Sequence, residues 1–346
     1  MFLKIKIRIE KELRNYIRSA NKTHSLNKLS PVLFKSIKEF VLRDGKRVRP
    51  ILFCIGYMGF SARKPSGLYR SAISLELLHD FLLVHDDIID RSVQRRGRPS
   101  MHALLNNYLG CNRKAKFNGE DLAIVAGDVI YAMALDTFLA IKENAQRKEA
   151  ALKKLIATVL CTASGEFIEL LLGIKALEKV TQKDIYKIYD YKTANYTFAS
   201  PLAIGATLAG AKTDRVKKLH AYGMLLGRAF QIKDDIIGIF GEVKQTGKSN
   251  LTDIQEAKRT LLLWYAFNHA DKKDKLIIKR IITGSSVNNA ALIKMRKIIM
   301  ATGALAYARN QIKYLQAKAQ NQINRLKMNK KYKQALDNFS QRILSP

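Results

Sequence analysis

Cysteine, proline and acid are the scarce ingredients of this chain, and each shortage excludes something. The three cysteines among 346 residues, Cys54, Cys111 and Cys161, leave one over in any pairing and lack metal-site spacing. That excludes a disulfide scaffold or a zinc site and fits a reducing cytoplasm. With only 6 prolines, no Pro-rich or Gly/Ser-rich linker and no clear repeat, one domain over residues 1–346 is expected. The start, Met1-Phe2-Leu3-Lys4-Ile5-Lys6, has no long apolar stretch, so a signal peptide is not expected. Nor does any uncharged apolar run reach the length that spans a bilayer. The location expected is cytoplasmic.

Acid is the third shortage. Asp and Glu number 29 against 61 Lys and Arg, a formal charge of +32, and from Asp271 to Pro346 there are 17 cations against 3 aspartates. Such a field attracts polyanions, anionic membrane surfaces and phosphorylated substrates alike. No zinc finger, RNA-recognition signature or arginine-glycine tract accompanies it, and the cations sit on helical patterns. Solvated helix faces are therefore expected, with no specific nucleic acid partner.

What is there is helix. Leu75, Leu78, Leu82 and Leu83 recur at helical spacing, with Glu76, His79, Asp86 and Asp90 on an adjoining stripe. Residues 150–177 form a long apolar stretch with few charges, expected to be a central buried helix. Thr181 and Asp184 have capping-box spacing and announce the helix that carries Tyr191-Lys192-Thr193. Strand-like alternation is weak, so an all-α chain of ten or more helices is expected.

Against so little acid, two aspartate motifs stand out: His85-Asp86-Asp87-Ile88-Ile89-Asp90 and Gln231-Ile232-Lys233-Asp234-Asp235. A helix turns about 100° per residue, so Asp86 and Asp90 share a face with Asp87 beside them. Clustered carboxylates repel unless a cation stands between them. Hard divalent ions that bridge to substrate phosphates suit such clusters. Three basic or glycine-containing loops lie near them in sequence: Gly45-Lys46-Arg47-Val48-Arg49-Pro50, residues 91–99, and residues 241–250. Pro50 is expected to halt the helix before it. Asp128, after Gly127, is either a site residue or a helix cap.

Together, GKRVRP (45–50), HDDIIDRSVQRRGRP (85–99), AGD (126–128), KT (192–193), FQIKDD (230–235) and GKSNLTDIQEAKRT (247–260) resemble the trans-isoprenyl diphosphate synthases. Among these the pattern is most like the archaeal-type geranylgeranyl diphosphate synthases. The resemblance implies an all-α, single-domain fold of roughly a dozen helices around a central cavity, usually as a homodimer. It implies a magnesium-dependent, head-to-tail condensation of isopentenyl diphosphate with dimethylallyl, geranyl or farnesyl diphosphate. About three magnesium ions per active site would be held by Asp86, Asp90 and Asp234, neutralising the leaving pyrophosphate. Lys192, Thr193, Gln231 and Lys258 would serve catalysis and, with Lys248, the allylic substrate. Arg95 would grip a diphosphate in bidentate fashion, while Lys46, Arg49, Arg96 and His79 would bind isopentenyl diphosphate. His79 stands seven residues before Asp86, about 20° away on the same helical face. Phe81, with non-aromatic Leu82 beside it, would floor the tail pocket and implies a twenty-carbon product. A farnesyl or longer product, or a non-catalytic subunit, is the alternative.

The chain departs from the family pattern at Gly238, where many members carry aspartate, and at Gly165-Glu166-Phe167-Ile168-Glu169, whose glutamates receive no role. Weak peripheral contact with membranes is compatible with the greasy product and the positive field.

Overall fold

The computed structural model describes residues 1–110, 115–241, 258–284 and 288–344, and they are helical almost throughout. The chain forms two compact units, one of Met1–Leu152 with Leu208–Gly210 and one of Lys153–Thr207 with Ala211–Pro346. The boundary near residue 152 falls inside a helix, Ala145–Gly173.

In the first unit the amphipathic helix Phe2–His24 buries Ile5, Ile9, Leu13, Tyr16, Ile17 and Ala20, the stripe that a period of 3.6 predicts. Helix Val48–Met58 is apolar almost all round and nine of its eleven residues are buried, so it is a core helix. Pro50 lies in its first turn, where a missing N–H costs nothing. The preceding helix, Pro31–Val41, has already ended well before it. The expectation that Pro50 halts that helix is therefore corrected: Pro50 opens the next one.

The first aspartate helix, Ser74–Ile89, buries Leu75, Leu77, Leu78 and Val84 and ends with Asp90 as its C-cap. Beyond it residues 91–99 turn back as a small hairpin, Gln94–Arg95 paired antiparallel with Arg98–Pro99. The two turn residues, Arg96 (φ 55°) and Gly97 (φ 71°), are both left-handed, as a two-residue turn matching the strand twist requires. Arg43 ties this hairpin down, donating to the carbonyls of Arg95 (3.3 Å) and Pro99 (2.8 Å).

Helix Gly119–Phe138 starts at Asn118 in a capping box with Asp121. Asp128 lies mid-helix and exposed, so of its two alternatives the cap is ruled out.

In the second unit the capping box at Thr181 and Asp184 is present and starts helix Gln182–Ile188. The chain then continues as a wide π-helix, Tyr189–Ala199, which carries Lys192 and Thr193. Such widened turns are rare and mark functional sites. The widening depends on glycines in its neighbours. A Cβ on Gly227 of helix Thr213–Phe240 would stand 2.4 Å from Ala194 Cα, and one on Gly165 would stand 2.8 Å from Tyr191 Cβ.

Helix Ala145–Gly173 corrects another expectation. It is not buried all round: Ile156, Leu160, Phe167, Leu170 and Leu171 are exposed, while Leu155, Thr158, Thr162 and Leu172 turn inward. It is also the one described helix long and apolar enough to cross a membrane. The basic C-terminal helices place Leu292, Met295, Ile298 and Ile299, then Leu315, Ala319 and Ile323, on buried faces. Lys294, Lys297, Arg309, Lys313 and Lys318 are exposed, whereas Arg296 turns in and donates to the Ile239 carbonyl at 2.7 Å.

Candidate active site

Each unit carries one aspartate motif, and each motif divides its carboxylates between exposure and burial. In the first unit Asp86 and Asp90 are half-buried, whereas Asp87 is fully buried. The partner that makes this tolerable is Arg95. Its Nε donates to Asp87 Oδ1 at 2.8 Å, its Nη2 closes a tighter contact on the same oxygen, and Asp86 Oδ2 lies 3.6 Å away. Asp87 and Asp86 together hold the Arg95 guanidinium above its usual pKa, against the opposing effect of burial. Arg95 is thus oriented by Asp87, a contact that spacing did not reveal.

Around His79 the first unit gathers cations. Burial first, then Arg49, Arg96, Arg95 and Arg47, push its imidazole well below the ordinary histidine range. His79 is accordingly neutral at neutral pH, and the charge there resides on the arginines. Lys46 is exposed and Arg49 half-buried.

Arg47, between them, is a different kind of residue. Its side chain is fully buried, bonded to Glu76 (2.5 Å), Glu10 (2.7 Å) and the Arg43 carbonyl (2.5 Å). Its backbone is left-handed, φ 50°, a strained state for a non-glycine residue that surrounding contacts must impose. Arg47 is the internal counter-ion that shapes the loop presenting Lys46 and Arg49. Nearby Asp80 is also buried, neither oxygen has a hydrogen-bond partner among the described residues, and Arg96 is 3.9 Å off. Burial and then Glu76 raise its pKa well above the carboxylate range.

Phe81 lies on the same helix, its ring 5.1 Å from Tyr131 and 4.7 Å from His85. Gly127 explains the close fit of His85: a Cβ there would stand 2.5 Å from the imidazole. Leu82 is half-buried beside it.

In the second unit Asp234 is exposed and Asp235 is buried. Gln231 links Asp235 to Thr193: its Nε2 donates to Asp235 Oδ1 (2.9 Å), and its Oε1 accepts from Thr193 Oγ1 (2.6 Å). Tyr189 closes a short hydrogen bond to the other Asp235 oxygen. Lys192 is flanked by Glu169 (2.5 Å) and, closer still, Glu166, so these glutamates acquire a contact role that the sequence did not suggest. Arg228 makes a two-pronged pair with Asp190 (2.5 and 2.6 Å), which secures the start of the π-helix. Lys258 is half-buried ahead of helix Leu261–His269. Lys248 lies outside the described residues.

Carboxylates beside a fixed arginine, a neutral histidine among guanidiniums, and lysine and threonine on a widened helix define a protein that handles anionic, metal-chelating substrates. The chain belongs to the polyprenyl synthetase family, whose model matches residues 30–299. It is a short-chain prenyltransferase, and its family condenses isopentenyl diphosphate with allylic diphosphates. It is 30% identical over 292 residues to the geranylgeranyl diphosphate synthase of Saccharolobus solfataricus, covering 83% of this chain and 79% of that one. It is 31% identical over 291 residues to the geranylfarnesyl diphosphate synthase of Aeropyrum pernix, covering 82% and 84%. Among solved structures, a geranylgeranyl pyrophosphate synthase from Corynebacterium glutamicum, complexed with isoprenyl diphosphate and magnesium, superposes with a TM-score of 0.89. Identity there is 26%, covering 99% of this chain and 98% of that one.

Proposed function

We propose that this enzyme extends allylic diphosphates with isopentenyl diphosphate to a twenty-carbon main product, geranylgeranyl diphosphate, acting as one domain over 1–346. The observation that carries the chemistry is the placement of scarce acid. Three carboxylates, Asp86, Asp87 and Asp90, lie within five residues at the end of helix Ser74–Ile89, and Arg95 is held against Asp87. Carboxylates clustered this closely suit hard divalent ions.

Magnesium, about three ions, would neutralise the diphosphate leaving group. Asp86 and Asp90 in the first unit and exposed Asp234 in the second are its ligands in this reading. Lys192, Lys258, Lys248 and Arg95 add charge to the allylic diphosphate, Arg95 with its plane set by Asp87. Lys46, Arg49 and Arg96 bind isopentenyl diphosphate, and neutral His79 can hydrogen-bond that diphosphate without competing for its charge. The allylic C1–O bond breaks to leave a cation and pyrophosphate. The isopentenyl double bond then supplies its electron pair to form the new C–C bond, and pyrophosphate removes the C2 proton. Thr193 and Gln231 present oxygen atoms to the cation.

Phe81, backed by Tyr131, floors the tail pocket with Leu82. A twenty-five-carbon product is the second reading, favoured by 31% identity to the Aeropyrum enzyme. A homodimer is supported by helix Ala145–Gly173, whose exposed Ile156, Leu160, Ala163, Phe167 and Leu170 alternate at spacings of four and three. That is the seam of a helix packed on another helix. We place the enzyme in the cytoplasm, with weak attraction to anionic membranes through its net charge.

The test is product sizing. Purified protein is incubated with magnesium, labelled isopentenyl diphosphate and each allylic starter. A dominant twenty-carbon alcohol after dephosphorylation, abolished by EDTA and by Asp86→Ala, is expected. A fifteen- or twenty-five-carbon product refutes the Phe81 floor, and no condensation with any starter refutes the reaction.

A further inference from the structure

Tyr189 is a buried tyrosine at the first position of the π-helix, three residues before Lys192. Nothing in the reaction described above uses it. Its hydroxyl nevertheless stands at the head of a continuous hydrogen-bonded series within the second unit. The Leu261 N–H donates to the Tyr189 oxygen at 2.9 Å, and the Tyr189 O–H donates to Asp235 Oδ2. Asp235 Oδ1 accepts from Gln231 Nε2 (2.9 Å), and Gln231 Oε1 accepts from Thr193 Oγ1 (2.6 Å). Burial, and then the Asp235 charge, raise the Tyr189 pKa well above the phenol range, so the proton stays on the phenol and the donor direction is fixed.

The direction of these bonds has a chemical consequence. Tyr189, Gln231 and Thr193 each spend a hydrogen toward Asp235 or toward the group that leads to it. With its NH2 committed to the carboxylate, the Gln231 amide has one orientation, carbonyl toward Thr193. With its single hydrogen committed to Gln231, Thr193 offers lone pairs, not a donor, to whatever lies beside it. Bonds in series polarise one another in the same sense. The series therefore ends in an electron-rich oxygen, which is what a developing allylic cation requires and what a diphosphate does not.

We propose that Tyr189 is a positioning residue for the condensation. It locks buried Asp235, which orients Gln231 and Thr193 so that Thr193 presents an acceptor oxygen to the carbocation. The proposal rests on the reaction assigned above. It separates the two members of the second motif: Asp234 is exposed, whereas Asp235 is internal. Leu261, the fourth residue beyond the undescribed segment 242–257, also enters the series through its N–H, so the backbone just after Lys258 is fixed by the same phenol.

The experiment begins with wild-type condensation, measured with geranyl or farnesyl diphosphate and isopentenyl diphosphate. Absence of turnover there refutes the assigned reaction before Tyr189 is reached. With an active wild type, Tyr189→Phe keeps the ring and removes the hydroxyl. A kcat lower by about tenfold to a hundredfold is expected, the cost of a small misplacement at a reacting centre, with KM for either diphosphate within about threefold. A structural role alone would lower the melting temperature and leave this split unmoved. Unchanged kcat, or a loss carried by KM alone, overturns the proposal.

The second measurement is a kinetic cycle of Asp235→Asn with Thr193→Val. Acting through one series, the double variant loses little more than the worse single variant. Multiplicative losses overturn the proposal, and this cycle decides the matter if Tyr189→Phe does not fold.

Discussion

Replacing Arg47 by methionine would remove a charge that never meets solvent while keeping most of the side-chain length. The structure sets the size of the effect. Arg47 is bonded to Glu76, itself buried, at 2.5 Å and to Glu10 at 2.7 Å, and it caps the Arg43 carbonyl at 2.5 Å. Without it Glu76 keeps Arg96 at 3.6 Å and loses its principal partner, with Asp80 adding repulsion. Breaking a buried pair and stranding one charge costs about 3–5 kcal/mol. The left-handed backbone at φ 50° would remain, its strain no longer opposed by the ion pair. The total therefore stays near the upper end, a large part of the roughly 5–15 kcal/mol that holds a typical domain folded. Urea unfolding followed by far-ultraviolet circular dichroism measures it. Trp264 fluorescence separately reports the second unit, because the sole tryptophan lies there. Arg47→Met combined with Glu76→Leu is expected to recover over half of the loss, since the more deeply buried of the two carboxylates bonded to Arg47 is then removed with it, leaving the partly exposed Glu10. A single-variant cost under about 1 kcal/mol, the range of a solvated surface pair, would refute the reasoning.

Three further outcomes are expected. Asp80→Asn should stabilise the enzyme at about pH 8 by roughly 1–2 kcal/mol, as a buried carboxylate without hydrogen bonds among the described residues is removed. Because the folded Asp80 pKa is raised, the wild type carries no such penalty below the unfolded value and acquires it as pH rises through the folded one. The difference should therefore vanish near pH 4; a variant less stable at both pH values would refute it. Phe81→Ala should lengthen the product by opening the space against Tyr131, and an unchanged chain length by product sizing would remove Phe81 from that role. Leu160→Glu with Phe167→Glu should convert a dimer to monomers in sedimentation, since both side chains lie on the exposed seam; an unchanged mass would assign that face elsewhere.

The aspartate motifs, the basic loops and the lysine-threonine pair were legible because chemistry of this kind needs particular residue types at short, regular spacing. Asp86 and Asp90 fall on one helical face by arithmetic alone, and Thr181 with Asp184 marks a helix start through local hydrogen bonds. Local rules also failed locally. Pro50 was compatible with ending one helix or opening the next, since its ring restricts the backbone on both sides.

What no local pattern carries is the identity of partners distant along the chain. Asp86 and Asp87 are adjacent and chemically identical, as are Asp234 and Asp235, yet in each pair one is reachable by solvent and the other is buried. The difference comes from Arg95 folding back on a hairpin whose turn is left-handed at two residues, and from Tyr189 reaching across to the second aspartate helix. Arg47 looked like one more cation among 61. It became an internal counter-ion because packing brought Glu10 and Glu76 to it from separate helices, and desolvation made that pairing obligatory. Spacing along one helix determined which residues share a face; burial, which depends on all the helices at once, determined which of them bind and which of them hold the binders in place.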